Sequence, residues 1–366
     1  MSHTHFTLIG AQPLPVYRGI KFTNADRVIL MHSIDTKNVA ERVSEVIGQN
    51  CQLCQIQNPF DYNACKNEIL KIVNEFNDEM QSFNVSGGTK IMTLVAAEIS
   101  RSMQIMHFYL DQNNILTNFI QGTETIVSEL IPIDIHFRLF GQTAKRTTRF
   151  QDVEKVYIDY ALKIQNSFFK YSSLFKDFRN LKNSDEEKFQ ISNKHFEIAW
   201  NPSELDVQIV DLKFGSSQSF KGQMAFNFFF NTAWYEIFVA QIVARWKFSK
   251  QIYWNTIIPL TSNEYDKNEI DLIIDTGIKL VFIECKTFVS EVRDIDKFRN
   301  VVKNYGGLAS KGILVTNRIP HENVIEKCRD NNISVFWFYD KNSSVMRSPK
   351  ELIELFDKEY LIINPI

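Results

Sequence analysis

The sequence predicts two successive α/β domains. The first is an open parallel sheet with helices on both faces. The second is an antiparallel hairpin leading into a strand–helix–strand unit. Three observations carry this. From His5 to Leu110 short apolar, β-rich runs alternate with segments of helical period, the pattern of a parallel sheet. From Asn268 to Lys286 two apolar runs flank Asp275-Thr276-Gly277, a hairpin signal. A helix-like stretch from Asp294 to Asn304 then precedes Gly312–Thr316, which reads as a buried strand.

In chain order, His5–Ile9, Arg27–Met31, Cys51–Ile56, Ser82–Val85 and Gln104–Leu110 read as strands, and Lys37–Ile47, Asn63–Glu79 and Lys90–Arg101 as helices. This is a Rossmann-like domain over residues 1–140. Three loops fall on the carboxyl edge of its sheet, where open α/β sheets bind ligands. At Ser86-Gly87-Gly88-Thr89-Lys90 the glycines permit close backbone approach. Ser86 or Thr89 can cap the helix, and the helix start with Lys90 suits an anion. The motif is neither GxGxxG nor a P-loop, and a plain capped turn is the alternative reading. His32-Ser33-Ile34-Asp35-Thr36 offers His32, Ser33 and Thr36 to phosphate or ribose, although a lone histidine is more often structural. Gly10 to Pro13, with Gln12, forms a third edge loop. Three polar loops on one rim suit a flat, nucleotide-like ligand.

Residues 141–230 read as a connector. It has a helical stretch (152–178), a polar loop (180–188), strands at Phe189–Trp200 and Val207–Phe214, and a turn at Gly215–Gly222. Lys145, Arg146 and Arg149 form a basic cluster, read first as a solvated linker face and second as a nucleic-acid contact. Residues 231–366 form the second domain. It opens with a largely apolar helix, Thr232–Lys247, and later carries a strand at Ser334–Tyr339 and a helix at Lys350–Lys358.

The hairpin holds the chemistry. Alternation puts Glu284 and Lys286 on one face and Cys285 on the other, and Glu269 and Asp271 share a face. Folding at the turn brings Asp271 and Glu284 together at one end with Lys286. Carboxylates there suit a hard divalent cation such as Mg²⁺, and the set suits metal-assisted phosphodiester hydrolysis. Asp271 and Glu284 would hold the ion, and Lys286 would orient or help deprotonate water. The alternative, a surface Glu/Lys pair, fits poorly beside the apolar run Leu280–Ile283.

Composition excludes several classes. The chain has 366 residues and a net charge of −2, so it is not a globally basic nucleic-acid coat. No apolar run reaches membrane-spanning length, and the amino terminus lacks a secretory pattern. Five cysteines with no evident pairing point to a reducing cytoplasm. Cys51 and Cys54 form a lone CxxC, read as buried thiols.

The Asp271…Glu284-Cys285-Lys286 pattern resembles the PD-(D/E)xK nuclease superfamily, which often takes one more acidic group from the preceding helix. Glu236 matches that position, although a first-turn glutamate favoured by the helix dipole reads nearly as well. The whole chain resembles the CRISPR-associated Rossmann-fold (CARF) nucleases of type III CRISPR systems. The resemblance rests on Ile9–Pro15, Ser86–Lys90, Trp234-Tyr235-Glu236, Asn268–Asp271 and Ile283–Lys286. It departs at Ala11, where a glycine is expected, and at Asn231-Thr232-Ala233, where relatives are glycine-rich. The resemblance implies a CARF domain followed by a restriction-endonuclease-like domain. It also implies a homodimer, a cyclic tetra-adenylate activator, a Mg²⁺ or Mn²⁺ site at Glu236, Asp271 and Glu284, and a single-stranded DNA or RNA substrate. A catalytically silent nucleotide-binding regulator and a constitutive restriction or repair nuclease are the alternatives.

Overall fold

The structure is a computed structural model. It describes residues 2–48, 50–76, 80–168, 177, 189–259, 266–289, 291–307, 310–340 and 345–363.

The first domain is the expected parallel sheet with an antiparallel extension. Strands β1 (His3–Leu8), β2 (Arg27–His32), β3 (Cys51–Gln55), β4 (Met80–Asn84) and β5 (Met106–Leu110) pair in parallel in the order β3-β2-β1-β4-β5. Strands β6 (Ile115–Asn118) and β7 (Thr123–Ile126) continue the sheet antiparallel. Helices α1 (Pro13–Thr23) and α2 (Lys37–Ile47) cover one face, and α3 (Tyr62–Glu75) and α4 (Lys90–Ser102) the other. The strand order reverses between β1 and β4, which opens a crevice where their loops part. Helix α1 was not expected. Pro13 and Pro15 read as loop residues, but a first helical turn tolerates proline because its N–H groups lack intrahelical partners. The β6–β7 hairpin was also unexpected. Strand β7 is exposed along its length and shows no apolar alternation.

The second domain is built on a mixed sheet. Its order is β18-β17-β16-β15-β14-β13-β8, with β8 (Arg146–Arg149), β13 (Gln251–Pro259), β14 (Asp266–Asp275), β15 (Leu280–Lys286), β16 (Lys311–Arg318), β17 (Ile333–Asp340) and β18 (Val345–Met346). Strands β13 to β15 run antiparallel, and β15 to β17 run parallel. Helix α5 (Ile133–Leu139) leaves the first domain and packs with α9 (Arg293–Gly306) and α10 (Glu322–Asp330) on one face. Helices α6 (Lys155–Asn166), α7 (Gly222–Phe230), α8 (Ala233–Val243) and α11 (Pro349–Ile363) cover the other.

The stretch read as a connector builds part of this domain. Strand β8 closes the sheet edge on β13, and Arg146 Nη2 donates to Asn255 Oδ1 at 2.9 Å. A separate antiparallel sheet, β12-β11-β10-β9, uses β9 (Phe189–Ser192), β10 (Phe196–Asn201), β11 (Asp206–Asp211) and β12 (Ser216–Lys221). Residues 215–222, expected as a turn, therefore hold a strand. The single strand expected at 189–200 is two, because Asn193 Oδ1 accepts from the N–H groups of His195 and Phe196 and turns the chain. The polar loop expected at 180–188 lies outside the described residues.

Candidate functional site

The hairpin forms as its pattern predicts. Thr276 Oγ1 donates to Lys279 O at 2.9 Å, and Gly277 N donates to Asp275 Oδ1 at 2.7 Å. Gly277 has φ +79°, so the turn favours glycine there. Leu272 pairs with Ile283, which places Asp271 level with Glu284 one residue further from the turn. Asp271 Oδ2 accepts from Cys285 N at 2.7 Å, and Lys286 Nζ lies 2.7 Å from Glu284 Oε1. Glu236, in the first turn of α8, accepts from Trp254 Nε1 on β13 at 2.7 Å. Asp271, Glu284 and Lys286 are thus brought together, and Glu236 joins them. Trp254 was missed, because β13 is a buried apolar run whose alternation is broken at Asn255, with φ +51°. Glu269 is exposed at the edge.

The electrostatics describe a site short of positive charge. Burial raises the Asp271 carboxyl well above its ordinary range, and Glu284 and Glu236 add to this. Burial pushes Glu236 up to about 7, against the pull of the Trp254 hydrogen bond. Burial also raises Glu284, although Lys286 opposes it. Lys286 goes the other way. Burial would lower it, but Asp271, Glu284 and Glu236 outweigh that and raise it above its ordinary value. Lys286 therefore keeps its proton here and can orient a group or balance charge. Carboxylate oxygens are the donor type that suits a hard cation, and here three carboxyls act on one another against one ammonium. Among the described residues, no three His, Cys, Asp or Glu side chains already converge as ligands.

On the carboxyl rim of the first sheet the loops after β1 and β4 meet. A Cβ on Gly87 would lie 2.0 Å from Leu8 O, and one on Gly10 would lie 3.2 Å from Gly88 N. Glycine is required at position 87 by the close approach of two backbones, and at position 10 a side chain would fit tightly. Thr89 is the cap of α4. Its Oγ1 accepts from Met92 N at 3.1 Å and donates to Pro59 O at 2.6 Å. The Ser86 hydroxyl donates to Asn84 Oδ1 and accepts from Leu110 N at 2.7 Å. Lys90 stands exposed at the first turn of α4. The second loop is more structural than its polar composition suggested. His32 is buried with Nδ1 2.9 Å from Ser33 O, and Ser33 and Thr36 cap each other. Gln12 and Ser86 line a cavity of about 350 Å³ between this rim and the turn of the β14–β15 hairpin.

Residues 4–135 match the family model of the Card1 CARF domain, and residues 225–345 that of the Card1-like endonuclease domain. No curated protein matches the chain. Among solved structures it is similar to Can2 from Sulfobacillus thermosulfidooxidans in complex with cyclic tetra-adenylate. The identity is 19% and the TM-score 0.71, with 99% of each chain covered. Protein VC1899 from Vibrio cholerae gives 18% identity and a TM-score of 0.71, covering 97% of this chain and 96% of that one. A type III CRISPR defence DNA nuclease activated by cyclic oligoadenylate gives 15% identity and a TM-score of 0.62. That match covers 98% of this chain and 52% of the other. At these identities the likeness is one of fold. The two domain matches, in this order and together spanning more than half of the sequence, show that the chain belongs to the Card1-like family, in which a CARF domain is joined to an endonuclease domain.

Proposed function

We propose that this chain is a metal-dependent endonuclease of type III CRISPR defence, switched on by cyclic tetra-adenylate and cutting single-stranded DNA, RNA or both. The observation that carries the reading is the convergence of Glu236, Asp271, Glu284 and Lys286 inside a Card1-like endonuclease domain. The fold shared with Can2, itself solved with cyclic tetra-adenylate, supports the activator.

In this reading Asp271 and Glu284 would hold a divalent cation, Mg²⁺ or Mn²⁺, with Glu236 as a further ligand. Such a cation supplies Lewis-acid stabilisation of the attacked phosphate and acidifies water. Lys286, 2.7 Å from Glu284 Oε1, would balance charge developing on the phosphate. Trp254 fixes the carboxylate of Glu236. On the rim, the backbone of Gly10 and Ser86–Thr89 lies against phosphate, with Lys90 and Gln12 as side-chain contacts. His32, Ser33 and Thr36 shape the neighbouring wall.

A cyclic tetranucleotide repeats its phosphates around a ring, so a homodimer with two rims across a two-fold axis matches its symmetry. Ile34, Phe60 and Leu94 on the first domain are 73%, 71% and 62% exposed, which gives such a dimer apolar surface to bury. The test is cleavage of labelled single-stranded DNA and RNA with Mg²⁺ or Mn²⁺, with and without cyclic tetra-adenylate. Cleavage that needs both supports the reading. Cleavage without nucleotide favours a constitutive nuclease, and none under any condition favours a silent regulator.

A further inference from the structure

The turn of the catalytic hairpin is buried. Asp275, Thr276 and Lys279 are 4%, 2% and 5% exposed, whereas turns ordinarily lie at the surface. What covers this one includes the first domain. Asn114 Nδ2, in the turn between β5 and β6, donates to Ile278 O at 2.9 Å. Two hairpins from different domains thus meet tip to tip.

Each side of this contact is held firmly. On the sensor side, Asp111 Oδ1 accepts from the N–H groups of Asn113 and Ile115, both at 2.8 Å, and fixes the turn. Asn114 has φ +60°, a left-handed conformation that asparagine tolerates better than most residues. The buried Arg18 of α1 donates through Nη1 to Glu129 O at 3.1 Å and to Val127 O at 3.3 Å, and its charge acts on Asp275 across the boundary. On the nuclease side, Asp275 Oδ1 holds Gly277 N, and Lys250 N donates to Asp275 O at 3.0 Å.

The contact lies on a continuous route. Ser86, in the rim loop, takes the N–H of Leu110 at the end of β5. Asp111 to Asn114 follow directly in the chain. Asn114 reaches Ile278, and from there β14 and β15 run to Asp271 and Glu284. Asp271 lies four residues from Asp275, about 13 Å along a strand. Beside the contact lies the 350 Å³ cavity, lined on the rim side by Gln12, Ser86 and Asp111 and on the nuclease side by Asp275 and Ile278. Polar contacts beside open space, this one and Lys250 Nζ to Ser128 Oγ at 3.0 Å, can shift. The two paired and largely buried strands behind it move as a unit.

Resting on the function proposed above, we infer that this tip-to-tip contact, Asn114 to Ile278 beside the cavity that Arg18 and Asp275 both line, carries the activator signal from the CARF rim to the catalytic carboxylates. Activator on the rim moves the β5–β6 turn through Ser86 and Leu110. That turn moves the hairpin, which sets the spacing of Asp271 and Glu284 against Glu236. None of the contact residues belongs to the proposed activator or metal ligands, so binding and activation are separable at this point.

The test uses full-length Asn114→Asp, which removes the donor and keeps a side chain suited to the left-handed turn. It also uses Asp275→Asn, which removes the charge that Arg18 acts on and keeps an acceptor for Gly277 N. Three readings are taken: affinity for labelled cyclic tetra-adenylate, thermal midpoint, and cleavage at saturating activator relative to none. The inference expects affinity within about twofold of the parent and a folded protein. It expects the activation ratio to fall roughly 5–150-fold, the usual span of such couplings. The double variant should lose little more than either single one, because both interrupt one junction. A parental activation ratio in both folded variants overturns the inference, as does a loss of affinity that accounts for the lost cleavage. If the parent itself is not stimulated by cyclic tetra-adenylate, the proposed function fails and this inference falls with it. That outcome is distinct from a stimulated parent with equally stimulated variants.

Discussion

Trp254 Nε1 donates to Glu236 Oε2 at 2.7 Å and ties the first turn of α8 to β13. This bond opposes the burial that raises the Glu236 carboxyl to about 7. Trp254→Phe keeps most of the packing and removes the donor. Glu236 should then titrate higher still. A hydrogen bond to a charged group is worth about 1.5–3 kcal/mol, so cleavage near neutral pH should fall roughly 10- to 100-fold. Part of that loss should return at higher pH as Glu236 ionises. A parallel downward shift at every pH would place Trp254 in packing alone.

Lys286→Met tests the charge balance. It leaves Asp271, Glu284 and Glu236 crowded with no cation beside them. Breaking a buried pair is costly, but the Lys286 side chain is 37% exposed, so solvent screening reduces the expected loss to about 1–2 kcal/mol. Metal-free protein should therefore melt lower than the parent. Mn²⁺ should recover most of the difference, while cleavage stays at least tenfold down. The measurement is thermal unfolding in chelator and in Mn²⁺. Equal midpoints in chelator would show that Lys286 does not compensate these carboxylates.

The raised carboxylates make a signed pH prediction. Their folded pKa values lie above the ordinary carboxylate range, with Glu236 at about 7. Their contribution to stability is therefore fully present below the ordinary range and is lost as pH rises through about 7. Metal-free protein should lose stability between about pH 5 and 8, and Asp271→Asn should flatten the loss. A divalent cation should stabilise more at the upper end, because it binds the ionised form. Midpoints recorded across this range with and without Mn²⁺ decide the matter, and a cation effect independent of pH would count against the ligand set.

Lys90→Ala tests the rim. Lys90 is exposed at the start of α4, beside the Gly87-Gly88 turn. A charged contact of about 1.5–3 kcal/mol predicts a ten- to hundredfold rise in the activator concentration needed for half-maximal cleavage. Much of the maximal rate should return at saturation. An unshifted midpoint would make Lys90 a solvated lysine and remove it from the site.

The β14–β15 hairpin was legible because its signals are local. Alternation, an Asp-Thr-Gly turn and charged residues ending an apolar run all lie within 268–286. The rim was legible as backbone and less so as side chains. Nothing in Ser86-Gly87-Gly88-Thr89-Lys90 reveals that Asn84 and Leu110 occupy the Ser86 hydroxyl, or that His32 turns inward to Ser33. Helix α1 was hidden by its prolines, and β13 by the left-handed Asn255. The junction of Asn114 with Ile278 spans two domains and has no local pattern at all. Strand β8 pairs with β13 more than a hundred residues away, so its basic residues looked like a linker.

The most direct test of the account is one titration. Labelled single-stranded DNA and RNA are incubated in Mn²⁺ with rising cyclic tetra-adenylate, using the parent and Glu284→Ala. The account predicts cleavage by the parent that rises with activator and stops on chelation. It predicts no cleavage by Glu284→Ala, which should still bind the nucleotide with parental affinity. Cleavage by Glu284→Ala at the parental rate, or parental cleavage indifferent to the nucleotide, would contradict it.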